Sequence, residues 1–260
     1  MALREDELKI TMLGTGTSLG VPVIACDCAV CLSGDKRDKR LRSSVLIEAP
    51  GLTIVIDCGP DFRAQMLAAG VRSLDAIIFT HEHRDHTAGL DDIRGFNYIL
   101  DMQIPIYATE RVVGAIKQQF DYIFKEDKYA GTPQLRINVI SSKPFHLESK
   151  EVIPIEVMHS TLPVLGFRID DFTYITDASF ISDSEIEKLD GVKILVLNAL
   201  RDSSHFSHFS LAEAVEIIAR VKPEKAFLTH MSHFIGKHAE VNAGLPDGIE
   251  LAYDGLVIRI

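Results

Sequence analysis

Six consecutive positions, His81-Glu82-His83-Arg84-Asp85-His86, place three imidazoles and a spaced carboxylate side by side. Just upstream, residues 75–80 (D-A-I-I-F-T) form an apolar, β-branched run that reads as a buried strand. Downstream, residues 87–90 (T-A-G-L) open into a helical pattern. The histidines therefore fall in a loop at the carboxyl end of a strand, where α/β proteins place their chemistry. A regular helix would aim His81 and His83 to different sides, because facing neighbours there are three or four apart. A strand-end loop lets His81 and His83 grip one cation while Asp85 and His86 face another. The run is read as a metal site.

The pattern H-x-H-x-D-H resembles the signature of the metallo-β-lactamase superfamily. The elements expected of that superfamily recur in order along the chain. His159 follows the β-rich residues 152–158, Asp177 follows 172–176 and His230 follows 226–229. Residues 54–59 (I-V-I-D-C-G) match its strand-then-D-x-G element, whose aspartate, Asp57, supports the metal loop from behind. The resemblance covers essentially the whole chain. It implies an α/β fold, a four-layer αβ/βα sandwich, as a single hydrolase domain over residues 1–260. It also implies a dinuclear centre in which His81, His83 and His159 hold one metal, Asp85, His86 and His230 the other, and Asp177 bridges them. Nitrogen and oxygen donors suit Zn, Mn, Fe, Co or Ni, and ligand type alone does not choose among them.

Cys26, Cys28 and Cys31 are three of only four cysteines. In an intracellular chain such spacing points to thiolate metal binding more than to disulfides. Three cysteines cannot all pair with one another, and close thiolates with one distant imidazole suit a closed tetrahedral zinc site. His233, three residues beyond His230, is the natural fourth ligand. A redox pair or buried thiols are the alternatives. Cys58 reads as a small buried apolar residue.

A length of 260 residues with 47% apolar composition suffices for one large core, and no apolar stretch approaches the ~20 residues of a membrane span. The charged start, residues 1–7, lacks the basic and apolar regions of a secretory leader, so a cytoplasmic location is expected. A formal charge of −10 argues against a broad nucleic-acid surface. The loop at residues 14–20 lacks the lysine of a P-loop and the full dinucleotide fingerprint. Residues 44–48 and 52–57 read as a hairpin, 62–69 as a helix ended by Gly70, and a second strand-rich half is expected from near residue 135, with its last helix-and-strand units running from 184 to 260. Phe120, Tyr122, Phe124 and Tyr129 lie in an aromatic, charged segment (120–133). They either cover the pocket mouth, form a homodimer contact, or pack on the chain's own core.

Ser210 and Glu213 have capping-box spacing before the amphipathic residues 211–220, which puts His208 just ahead of a helix start. There a histidine can bind a phosphate oxygen or protonate a leaving oxygen; an ordinary surface or structural histidine is the alternative, more so for His205. Within the superfamily the chain is similar to the cyclic phosphodiesterases of phosphonate use. These carry the same C-x-C-x-x-C cluster, a T-H-x-S-H element matched by Thr229-His230-Met231-Ser232-His233, and a histidine before a late helix. That likeness implies hydrolysis of a small, cyclic phosphodiester by metal-bound hydroxide, with Asp85, Asp177 and His208 catalytic. It further implies a structural zinc on Cys26, Cys28, Cys31 and His233. The rival readings are a transfer-RNA 3′-end endonuclease, a quinone-cofactor biosynthesis protein, and a zinc-stabilised binding protein with a vestigial site.

Overall fold

Short apolar runs bounded by turn residues become strands, and the amphipathic stretches between them become helices. The computed structural model describes residues 3, 4 and 7–260, so part of the leader reading over residues 1–7 lies outside the described residues. Two compact units result. One holds the chain up to Leu13, Ser44–Ser141 and Gly255–Ile260; the other holds Gly14–Ser43 and Ser142–Asp254.

The first unit contains β1 (Lys9–Gly14), β2 (Ser44–Ala49), β3 (Leu52–Ile56), β4 (Ala76–Ile78), β5 (Ile104–Thr109) and β6 (Leu135–Ile140). Its helices are α1 (Phe62–Ala69), α2 (Arg84–Thr87), α3 (Arg94–Leu100), α4 (Glu110–Gln119) and α5 (Asp121–Phe124). β2 and β3 are the expected hairpin, antiparallel from Val45 opposite Ile56 to Ala49 opposite Leu52. β3 to β6 then run parallel. The near-continuous apolar character of β3 to β5 follows, because the inside of a parallel sheet is buried on both faces, whereas β6 at the edge buries only Ile140. Val55, Ile77, Ile78 and Ile106 are fully buried. Gly70 caps α1 in the left-handed region at φ 66°, as its sequence predicts.

The second unit contains β7 (Phe145–Leu147), β8 (Lys150–His159), β9 (Leu162–Ile169), β10 (Phe172–Ile175), β11 (Phe180–Ile181), β12 (Ile194–Asn198), β13 (Lys225–Thr229) and β14 (Ile249–Leu251). With them come α6 (Asp183–Glu187), α7 (Leu211–Val221) and α8 (His238–Ala243). The order is β11-β8-β9-β10-β12-β13-β14, with β7 beside β8. Its first strands pair antiparallel, and β10, β12, β13 and β14 are parallel. The α7 capping box is formed: Glu213 accepts from the Ser210 amide at 2.7 Å, and the Ser210 hydroxyl accepts from the Glu213 amide at 3.3 Å.

Three expectations change. The strand at residue 135 is β6, which completes the first sheet beside β5, so the second half starts at β7 instead. The chain's last strand, β15 (Val257–Arg259), returns to the first sheet and pairs with β1. Hydrophobic periodicity does not encode which sheet a strand joins, and both shifts are of that kind. The histidine run is also not all loop, because Arg84–Thr87 close one helical turn that carries Asp85 and His86. The aromatic segment divides as well. Phe120 is core, Tyr122 hydrogen-bonds Asp91, and Tyr129 stands 81% exposed.

Asp254 ties segment 14–43 into the second unit. It accepts from the Thr15 amide (2.9 Å), the Thr15 hydroxyl (2.8 Å) and the Leu41 amide (2.7 Å). Burial pushes its carboxyl up to about 7, against those three bonds. The folded state therefore holds a proton that the unfolded chain releases near ~3.9. That contribution is complete below ~4 and is lost as pH rises through about 7. Relative to Asp254→Asn, the native protein should lose on the order of a few kcal/mol of stability between pH 4 and 7. Denaturant unfolding of both proteins across that range checks this, and a pH-independent difference contradicts it.

Candidate metal centres

In the first unit the ligand loop is set by one carboxylate at the end of β3. Asp57 takes φ 65°, a left-handed turn that brings its side chain under the loop. Its Oδ1 accepts from the Thr80 amide at 2.9 Å and its Oδ2 from the Thr80 hydroxyl at 2.8 Å. Oδ2 also lies 2.7 Å from His86 Nδ1. Asp57 is fully buried, and burial raises its pKa against the lowering effect of His86 and Thr80. With Nδ1–H donated to Asp57, His86 carries its lone pair on Nε2, which lies 3.3 Å from Asp85 Oδ2. Thr80 has spent its proton on Asp57, so it accepts from His81 Nδ1 at 2.9 Å. His81 Nε2 then faces His83 Nδ1 at 3.0 Å. Two ring nitrogens that close need a proton or a cation between them. The four side chains of the sequence signature are thus brought together, with the His81 and His86 rings each held by a hydrogen bond at Nδ1.

The loop is also braced from below. The Cys58 amide donates to the His86 carbonyl and the Gly89 amide to the Cys58 carbonyl, both at 2.8 Å. A Cβ on Gly89 would fall 2.1 Å from the Gly59 carbonyl oxygen, so no larger residue fits there. Cys58 itself is wholly buried, the apolar filler its sequence suggests.

The second unit repeats the device. Asp177 after β10 and His230 after β13 take φ 58° and 56°, and His159 ends β8. His230 Nδ1 lies 3.1 Å from Ser43 Oγ and 3.3 Å from Thr176 Oγ1. Ser43 donates its own proton to the Gly16 carbonyl at 2.9 Å, so it accepts from the ring. His230 Nε2 faces Asp177 Oδ1 at 3.3 Å and Thr17 Oγ1 at 3.1 Å. His159 Nδ1 donates to the Ser207 carbonyl at 2.8 Å. Thr176 donates to Asp177 Oδ2 at 2.7 Å. Ser43, Thr176, Thr17 and Ser207 carry no recognisable sequence signal, since the first lies 187 positions from the ring it supports.

His208 is buried, not a surface histidine. Its Nε2 lies 3.0 Å from Asp177 Oδ1, its Nδ1 3.0 Å from Ser207 Oγ, and its ring stacks on His230 at 5.0 Å. One ligand atom each from His159, Asp177 and His208 falls within 4.8 Å of the others. His208 therefore stands directly beside His159 and Asp177. His205 packs beside it, 3.3 Å between Nδ1 atoms, and burial, helped by His208, lowers its pKa.

The cysteine cluster forms as expected. His233 Nδ1 lies 3.3 Å from Cys26 Sγ, 3.3 Å from Cys28 Sγ and 3.5 Å from Cys31 Sγ. Zinc bonds of ~2.3 Å to sulfur and ~2.0 Å to nitrogen give a tetrahedral edge of ~3.5 Å, so these donors fit zinc closely. The Cys31 amide, donating to Cys28 Sγ, holds the Cys28 thiol down to about 6, whereas burial pushes Cys31 up to about 11. No disulfide competes, since all four cysteines are free.

A family described as the beta-lactamase superfamily domain matches residues 53–231. The chain belongs to the β-lactamase superfamily. It has the α/β fold of that superfamily, whose members bind divalent metals. A solved diphosphatase from the PhnP family is 40% identical, with TM-score 0.92 over 98% of this chain and 97% of that one. An octanoyltransferase of Porphyromonas gingivalis (strain ATCC BAA-308 / W83) is also 40% identical, over 96% of this chain but 51% of its own length. This chain thus spans about half of that relative. A ribonuclease Z of Anoxybacillus flavithermus (strain DSM 21510 / WK1) is 21% identical over 86% of this chain and 87% of its own. Among the described residues no helix is long and apolar enough to cross a membrane.

Cys28→Ser should lower the thermal midpoint and remove one metal per chain, while the remaining metals stay. Calorimetry with metal analysis tests this. Full metal retention at unchanged stability contradicts a structural zinc on these four residues.

Proposed function

We propose that the protein hydrolyses a small phosphodiester at a dinuclear centre, and that the cysteine site holds a separate structural zinc. Support comes chiefly from His208 on Asp177, a buried imidazole at 3.0 Å from the carboxylate assigned as the bridge. In this reading His81, His83 and His159 hold one metal, Asp85, His86 and His230 the other, with Asp177 between. Two cations held there would supply Lewis acidity toward phosphoryl oxygens and make a water more acidic. The chain's own side chains do the rest. Asp57, Thr80, Ser43 and the Ser207 carbonyl fix the tautomers of the ligands, and Asp85 and Asp177 offset cation charge. His208 Nε2 delivers a proton to the departing alkoxide, and His205 behind it keeps the ring in place.

The 40% identical diphosphatase supports P–O cleavage in a small substrate and adds a phosphoanhydride to the candidates. A net charge of −10 favours a compact substrate over the polyanion of a ribonuclease. Acyl transfer, named for the octanoyltransferase, gains no support from a metal-ligand set and rests on a relative half of which this chain does not match. A cyclic ribose phosphate, a nucleoside diphosphate, bis(p-nitrophenyl) phosphate and precursor transfer RNA, offered side by side, test the reading. Turnover of the first three at rates far above the last is expected, and preference for the transfer RNA overturns it. The homodimer remains attached to Tyr129, whose exposed ring is the surface a second copy would cover.

Asp85→Ala should abolish hydrolysis and weaken one of the two active-site metals while the fold persists. Wild-type activity with both metals retained contradicts the assignment. His208→Ala should depress hydrolysis of a cyclic ribose phosphate by ~10²–10⁴, because an alkoxide needs a proton to leave. It should depress a p-nitrophenyl diester far less, with both metals still bound. Loss of a metal would instead make His208 a ligand.

A further inference from the structure

A groove of about 390 Å³ opens in the first unit between α1 and α3. That volume lies at the lower end of small-molecule sites, roughly 300–1,000 Å³. Its floor is apolar: Phe62 and Met66 are buried, and the Phe62 and Phe96 rings meet edge-on at 6.3 Å. Leu67 and Ile99 form the lips, 65% and 74% exposed. Apolar side chains that open to solvent around a concavity are a usual sign of a ligand groove.

The charge around it is inverted relative to the chain. Arg63, Arg72 and Arg94 line the groove against one carboxylate, Asp92, in a protein of net charge −10. Arg94 is ion-paired with Asp91, but among the described residues no carboxylate pairs with Arg63 or Arg72. Arg63 lies four positions before Leu67, so one face of α1 carries a guanidinium beside an apolar lip. Gly70, turning at φ 66°, brings Arg72 round to the same groove.

We propose that this groove binds a single-chain amphiphilic anion, its aliphatic tail on the Phe62–Met66–Phe96 floor and its head at Arg63 and Arg72. The site lies outside the residues assigned to hydrolysis and rests on none of them. The concave floor suits one tail rather than a flat bilayer face. Each methylene fully buried there should tighten binding by about fourfold. Loss of the arginine contacts should weaken it by about tenfold or more.

Calorimetric titration of the whole metal-loaded protein with octanesulfonate, hexanesulfonate and octyl glucoside, all below their micelle concentrations, tests this. A sulfonate head avoids the phosphate affinity of the metal centre. Saturable octanesulfonate binding is expected, weakened by the shorter tail and by the neutral head. The double variant Arg63→Gln, Arg72→Gln should lose it, and Leu67→Asp should lose the tail-length dependence. Hydrolysis of bis(p-nitrophenyl) phosphate and the thermal midpoint should stay unchanged in both variants. Equal affinity for the two eight-carbon probes, binding unaltered by the variants, or binding to anionic vesicles without monomer binding would each overturn the proposal.

Discussion

A carboxylate with no access to water costs several kcal/mol unless every lone pair is used. Asp57 is such a group, and the geometry of the first ligand loop follows from how it is satisfied. Three donors reach it, from the Thr80 amide, the Thr80 hydroxyl and His86 Nδ1. Each bond leaves a consequence further out. The Thr80 hydroxyl, having donated, can only accept, and that sets the His81 ring. His86, having donated from Nδ1, turns Nε2 toward Asp85. These hydrogen bonds orient the His81 and His86 rings from within the protein.

The same solution appears in the second unit with different residues. Asp177 and His230 each follow a parallel strand and each adopt a left-handed backbone, a conformation that costs a non-glycine residue on the order of 1–3 kcal/mol. Neighbouring strands β10, β12 and β13 hold those turns in register, and Ser43 and Thr176 hold the His230 ring. Strain at the strand ends thus converges on the residues assigned to chemistry. The cysteine site contributes differently. It gathers Cys26, Cys28 and Cys31 around His233, three positions from His230, so a metal held there would steady the segment that carries His230.

Much of this was legible in the sequence where local chemistry sets the answer. The histidine run, the capping box at Ser210 and the glycine cap at Gly70 are short-range patterns with a physical reason for their spacing. The hairpin of β2 and β3 is of the same kind, as is the grouping of Cys26, Cys28 and Cys31. What the sequence could not carry is pairing at a distance. β6 and β15 are ordinary apolar strands whose sheet is chosen by topology. The hydroxyl of Ser43 looks like any other serine until the fold brings it to His230. The one-turn helix at Arg84–Thr87 hides inside the ligand signature, where propensity gives way to the bond between the Cys58 amide and the His86 carbonyl. His208 shows the boundary between the two cases. Its helix-start position was readable, but its burial on Asp177 was not.

The central proposal is that the histidines and aspartates named as ligands bind metal, and that the cysteines with His233 bind a further one. Anomalous diffraction from metal-loaded crystals, collected on either side of the relevant absorption edge, tests it most directly. The account predicts two peaks ~3.5–4 Å apart. One should be ligated by His81, His83 and His159, the other by Asp85, His86 and His230, with Asp177 shared. A third peak should lie at the cysteines. A single peak at the histidines, or none at the cysteines, would contradict it.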